Sequence, residues 1–397
     1  MKRLLIITAF CLMLFTTTAY ALPNENKESD LYQSFEDIIA EQLNNLDTDN
    51  WEPFLKSIDQ QGSDLLNGDS AKNIIAGLIA GNFSFGVQDI FAQILNALFS
   101  ELMLNLMLMG KIIVIAVVCS IFKTMKESFH NPSVGEIGYF VCYSIVVILI
   151  IQSLISILSI GRIAIEQMVG FMQILFPILM TLLVAMGNFT SSAILQPAIA
   201  LLVGIIGTFL KNIMLPLITL SAIITLINHI GEKVQLQRLG KLLNNLCIWT
   251  MTGSFTIFIG VLTVQGVMAA SFDGISIRTA KFAIDTFVPI VGKMFSQTLD
   301  TIIGCSLLLK NAVGVAGLLI IGLLCITPGV KILALMFIYK LSSALLEPVT
   351  DKRIVDCLNG IGNILNVLFI TVIGIAIMFF MTITLIIGTG NISVMLR

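Results

Sequence analysis

From about residue 91 to the end, the chain alternates long apolar runs with single charges rather than with polar loops. A membrane-crossing helix needs about 20 mostly apolar residues. Leu102–Phe122, Tyr139–Ile160, Met168–Gly187, Leu246–Ala270 and Asn363–Gly388 meet that requirement. Ala198–Asn228 is apolar over 31 residues but holds Lys211 and Pro216, so it reads as one long kinked helix or two half-spans. Thr301–Thr327 is apolar apart from Lys310–Asn311, and Lys331–Leu346 apart from Lys340. The pattern predicts an all-α, polytopic helical membrane protein with about eight transmembrane helices, within a range of six to nine.

Before residue 91 the pattern changes. Met1–Lys2–Arg3 followed by the apolar stretch Leu4–Phe15 and by Ala19–Tyr20–Ala21 has the layout of a cleavable signal peptide, residues 1–21, with cleavage after Ala21. Residues 22–90 then form an acidic segment placed outside the cytoplasm. Leu31, Phe35, Ile38, Ile39 and Leu43 recur at helical spacing there, and Gly62–Ser63–Asp64 and Asn67–Gly68–Asp69 mark turns. So few large apolar groups predict a small helical segment that docks onto a partner or onto its own membrane part. Asp47-x-Asp49 lacks the glycine turn and the later Glu of a calcium loop, so a solvated acidic face with helix caps is the expectation. Gly77-x-x-x-Gly81 lies in an apolar run too short to span, which fits a re-entrant or surface-lying helix.

Composition narrows the class. Of the 397 residues, 57% are hydrophobic and 12% charged, against about 25% charged in soluble proteins. A soluble fold of this length has no means of hiding so much apolar surface. A disordered chain and a nucleic-acid-binding domain are excluded with it. The net charge of −2 conceals a division: Leu22–Ile90 holds 13 Asp/Glu and 3 Lys, while Phe91–Arg397 holds 11 Asp/Glu and 17 Lys/Arg. Counting loop Lys/Arg for orientation gives seven on each side when Arg162, Lys211 and Lys331 are treated as loop residues. The seven cysteines form no C-x-x-C and avoid the acidic segment, so they read as small buried hydrophobes.

Two places carry candidate chemistry. Over residues 272–300, Arg278, Lys281, Asp285, Ser296 and Asp300 fall on one helical stripe, with Ile277, Ile284, Phe287 and Val291 on other faces. Such an amphipathic segment lies on the membrane surface or turns its stripe to an aqueous path; Pro289 and Gly292 interrupt it. Lys310 sits inside an apolar run, where a Lys costs roughly 2.5–3.5 kcal/mol. Either it lines a conduit or pairs with Asp300, Asp285 or Glu347, or the helix breaks there and the side chain reaches an interface. Gly314-x-x-Gly317 allows close helix packing. No phosphate-binding G-x-x-x-x-G-K-[ST], no G-x-S-x-G and no ligand-spaced histidines occur. No catalytic, cofactor-binding or metal site is expected, and no enzyme activity.

The stretches "TGSFTIFIGVLTVQGVMA" (Thr252–Ala269), "DGISIRTAKFAIDTFVPIVGKMFSQTLDTIIGCSLLLKNAVGVAG" (Asp273–Gly317) and "MFFMTITLIIGTGNISVMLR" (Met378–Arg397) resemble the stage III sporulation protein AE family of endospore-forming bacteria. The layout of signal peptide, acidic segment and membrane domain at 91–397 is similar too. The resemblance implies a subunit of a secretion-like or feeding channel between mother cell and forespore, required for spore development. It places the chain in the mother-cell membrane around the forespore. Its partners would be the other stage III operon proteins, including an ATPase subunit and a forespore-side protein, with the bilayer around it and oligomers allowed. The competing readings are a self-contained secondary transporter of small solutes and a membrane scaffold.

Overall fold

The computed structural model describes residues 38–43, 46, 48–60, 70–81, 87–128, 132–230, 236–287 and 291–395. Side chains at 269–299 are outside that description, as are the signal segment with its cleavage site and most of residues 22–69. No strand occurs among the described residues. A helical turn at 38–43 precedes a 3-10 turn at Asp49–Trp51 and two short helices, α1 (Glu52–Gln60) and α2 (Ala71–Ile79). Ser70 caps α2 by accepting from the Asn73 amide, and Gly81 just past it takes φ 68°, a left-handed value that suits glycine.

Long rods follow: α3 (Val87–Ser128), α4 (Pro132–Ala185), α5 (Phe189–Phe209), α6 (Leu215–Ile230), α7 (Gln237–Phe287), α8 (Val291–Leu346) and α9 (Lys352–Met395). A π-helical turn, Leu210–Met214, joins α5 to α6 without a break. Pro216 stands directly after that turn and brings no N–H, so the wider turn absorbs the lost hydrogen bond. The long apolar interval 198–228 is therefore one continuous rod.

Among the described residues, six helices are long and apolar enough to cross a membrane: Phe91–Met125, Ile137–Ala185, Phe189–Asn228, Gln237–Met268, Asp300–Leu346 and Lys352–Asn391. The difference from the expected eight has one cause. Tyr139–Ile160 and Met168–Gly187 are parts of one helix, α4, and Thr301–Thr327 and Lys331–Leu346 are both parts of α8. Arg162, Lys211 and Lys331, expected in loops, lie inside helices. Pro177 and Pro328 are carried within α4 and α8 without ending them. The segment 272–300 is no separate helix either: its first part continues α7 to Phe287 and its last part opens α8.

The rods hold a fixed register. Ser153 of α4 hydrogen-bonds Tyr339 of α8, and Leu175, 22 residues on, packs on Gly317, 22 residues back. Gly161 of α4 lies against Leu368 of α9, and Leu183 against Gly390, 22 residues on in both. Thus α4 runs with α9 and against α8. The α8–α9 hairpin is tied at Ser343–Val355, Cys325–Val372 and Lys310–Ile387. Helix α3 runs with α8, through Glu101–Lys331 and Ser120–Val349, and α7 runs with α9, through Met251–Gly374 and Gly266–Leu385. The result is an up-and-down bundle. One end gathers the α3–α4, α6–α7 and α8–α9 connections; the other gathers the α4–α5 and α7–α8 connections. Gly187, at φ 80°, makes the tight α4–α5 turn. At 1.5 Å per residue the 54 residues of α4 reach roughly 80 Å, more than twice the ~30 Å hydrocarbon core of a bilayer.

The N-terminal helices pack on the half distant from the α8–α9 turn. Trp51, fully buried, and Phe54 meet Phe171 of α4 edge-on at 5.3 and 5.5 Å between ring centres. Gln42 hydrogen-bonds Ser306 of α8 at 3.2 Å, and α2 also packs on α8. Their outer face is polar, with Glu52 and Lys56 exposed and paired at 3.1 Å.

Candidate functional site

Three polar constellations interrupt the apolar bundle, at three heights. The first is buried. Lys310 has no exposed surface, and its Nζ donates to the Ile387 carbonyl oxygen of α9 at 2.9 Å. Gly390 makes room for it: any Cβ there would occupy the space of the ammonium group, and Leu183 of α4 closes the same spot. Around this level the side-chain oxygens of Asn311 (α8), Gln265 (α7) and Asn391 (α9) are buried with no hydrogen-bond partner among the described residues. Ser306 lies one helical turn from Lys310 and carries Gln42. A buried ammonium and orphaned carboxamide oxygens inside one bundle are costly unless water or a ligand serves them.

In sequence Lys310 is open between an interior group and one that reaches an interface; the structure buries it against a backbone carbonyl. Helix α8 continues through it without a break. Glu347 stands 37 residues away along the same chain, roughly 55 Å at helical rise, and is no partner. Asp300 is exposed near the start of α8, ten residues from Lys310. The side chains of Arg278, Lys281 and Asp285 lie outside the described residues, so the proposed stripe is placed only by its backbone, in the last turns of α7.

The second constellation is a charged layer at mid-height. Arg162 and Lys211 converge on Glu166 at 3.1 and 2.9 Å, joining α4 to the π turn. Lys331 of α8 approaches Glu101 of α3 at 3.9 Å. The register through Gly161–Leu368 and Gly329–Phe369 puts all five groups within roughly 10 Å of one level of α9. The apolar intervals that look like separate spans in sequence are the portions of each rod on either side of this layer. Those portions run from roughly 24 to 40 Å in length.

The third constellation ties the end of the bundle. Asp351, between α8 and α9, accepts from Tyr139 Oη of α4 at 2.8 Å and pairs with Lys123 of α3 at 3.2 Å. Thr350 and Ser120 add hydroxyl bonds to the Ala116 and Val349 carbonyl oxygens, both at 2.7 Å. Burial pushes the Asp351 carboxyl up, but the Tyr139 hydrogen bond and then the Lys123 bond and charge outweigh it and hold the group below its ordinary carboxylate value. Sequence reasoning missed this cluster, because its side chains are separated by up to 231 positions and each resembles an ordinary loop residue. Among the described residues no cluster of three or more His, Cys, Asp or Glu side chains is disposed to hold a metal ion.

The architecture defines a class: an integral-membrane helical bundle with a small docked N-terminal unit. Comparison with known proteins gives the family. The chain belongs to the Stage III sporulation protein AE family, whose model matches residues 70–390. It is 33% identical over 377 residues to the Stage III sporulation protein AE of Bacillus subtilis (strain 168), covering 95% of this chain and 94% of that protein. No solved structure matches.

Proposed function

We propose that this sporulation membrane protein is a non-enzymatic subunit of a channel or secretion-like apparatus between mother cell and forespore. In this reading it crosses the mother-cell membrane six times, with its N-terminal helices outside the cytoplasm. One observation carries the orientation. Once Arg162, Lys211 and Lys331 are recognised as helix-interior residues, the remaining Lys/Arg of the membrane ends divide unevenly. Among the described residues, Lys123, Lys126, Arg238, Lys241, Lys352 and Arg353 belong to the end with the α3–α4, α6–α7 and α8–α9 connections. Arg278, Lys281 and Lys293 belong to the other. Six against three supports a cytoplasmic first end by the positive-inside rule. The far end, where Gln42 and Trp51 dock, is then outside, as the signal-peptide layout requires.

The length of the bundle supports a role across a gap. Only about half of it fits in hydrocarbon. The half between the basic end and the charged layer suits lipid, since α3 exposes Met103, Leu104 and Met107 there at 67%, 71% and 70%. The half beyond also exposes large apolar side chains, among them Phe189, Leu201 and Ile205 of α5 and Val264 and Val267 of α7, so only the face of α4 and α8 that the polar helices cover is assigned to the intermembrane space. Cysteine substitutions at Lys56 and Lys352, in the chain expressed in non-sporulating cells and labelled with a membrane-impermeant thiol reagent, test the arrangement. Lys56→Cys reacts in intact cells and Lys352→Cys only after the membrane is opened; the reverse overturns the orientation. The apparatus itself is tested by Lys310→Ala, which is expected to abolish spore completion while the protein still reaches the membrane.

A further inference from the structure

Close to the basic end, α6, α7 and α9 part to leave an open cleft of about 390 Å³. Six carboxamides line it: Asn228, Gln237, Asn244, Asn245, Asn359 and Asn363. Two of the walls are ordered rows. Gln237, Lys241 and Asn244 stand at i, i+4 and i+7 on α7, and Asp356, Asn359 and Asn363 at i, i+3 and i+7 on α9, so each set occupies one helix face. Because α7 and α9 run the same way, the rows face each other in parallel for roughly 10 Å. Gly360 lets α6 close in at the base: a Cβ there would stand 2.7 Å from Thr225 Cγ2.

Two of the amides are oriented from behind. Asn363 Oδ1 accepts from Lys340 Nζ at 3.1 Å, and Asn228 Oδ1 accepts from the Leu236 amide at 2.8 Å. Their NH2 groups remain as donors. The lining thus offers many donors and acceptors in nearly equal number; among its described residues the one cation, Lys241, is balanced by Asp356, and Lys340 behind Asn363 is engaged by that amide. A phosphate or anionic headgroup requires an excess of positive charge that this cleft lacks. An apolar helix requires an apolar groove, and only Leu236 and Ile364 supply apolar side chains. The peptide group is the chemical counterpart of a carboxamide, matching it donor to acceptor on both sides.

We propose that this cleft binds an extended polypeptide segment through its main chain, about three residues lying between the two rows at ~3.3 Å per residue. The proposal does not depend on which way the bundle faces the membrane.

The test uses the full chain in lipid nanodiscs and a phage library of linear, random hexapeptides as the probe. Selected peptides should bind wild type at least tenfold more tightly than an Asn244→Ala/Asn359→Ala double variant. They should also withstand competition by free amino acids and by inorganic phosphate. Asn244 is half-buried and Asn359 exposed, so the variant is expected to elute and melt like wild type. Asn359→Gln, keeping the amide, should bind better than the double variant. Three results overturn the proposal: no peptide enriched above empty nanodiscs, enriched peptides that bind the double variant equally, or displacement by free amino acids or by phosphate at equimolar concentration.

Discussion

The two halves of the bundle share α4, α8 and α9, and they differ in what covers these helices. Toward the basic end the cover is α3, an apolar helix whose outward face is itself apolar. Toward the far end α4 and α8 are covered by the N-terminal helices, which are short and amphipathic, with Trp51 and Phe54 turned inward and Glu52 and Lys56 outward. Between the halves lies the layer of Glu101, Arg162, Glu166, Lys211 and Lys331. In the proposed arrangement the same helical core meets two solvents. Its uniform hydrophobicity gives no sign of that; the covering helices and the level of the charges support it.

The strongest perturbation of this comparison is to strip the far half of its cover. Phe171→Ala removes the ring on which Trp51 and Phe54 close, and large aromatic truncations in a core cost about 3–5 kcal/mol. The N-terminal segment should then be cut by protease under conditions that leave the wild-type segment intact. Equal protection in both would show that the segment does not depend on this contact. A smaller loss is expected on the shared core from Gly317→Val, which forces a side chain into Leu175 and should cost about 1–3 kcal/mol. It should lower the unfolding temperature of the detergent-solubilised protein without detaching the N-terminal helices.

Next comes the tie at the basic end. Asp351→Asn removes the charge that Lys123 and Tyr139 serve, with an expected loss of about 1.5–3 kcal/mol. Because the folded carboxyl titrates below its unfolded value, this stabilisation is present above the ordinary carboxylate range. It is lost as pH falls through the folded value. Wild type and variant should therefore differ in unfolding temperature at pH 7 and converge in strong acid; a difference independent of pH would refute the electrostatic reading. The least effect belongs to the exposed layer: Glu166→Gln should change stability by under about 1 kcal/mol, and less in high salt.

The apolar runs and the docking of the N-terminal segment could be read in one dimension, since both follow from periodicity and charge. The number of rods could not. A charge inside a continuous helix, such as Arg162 or Lys331, and a charge in a loop have the same hydropathy signature. Only the register with α9 shows that five such charges share one level. Lys310 illustrates the same limit. Its isolation in an apolar run leaves interior and interface positions both open, and its acceptor is a backbone carbonyl 77 residues away, which no side-chain pairing rule would find. The carboxamide cleft brings residues 228, 244 and 359 together across three helices, and each Asn alone is unremarkable.

The central claim is that lipid surrounds the basic half and water the polar cover of the far half. Spin labels placed singly at Met107 and Lys56, in the full chain reconstituted into bilayers, measure this directly through their collision rates with oxygen and with a water-soluble nickel chelate. The account predicts oxygen-dominated relaxation at 107 and chelate-dominated relaxation at 56. Chelate access at 107, or oxygen-dominated relaxation at 56, would contradict it.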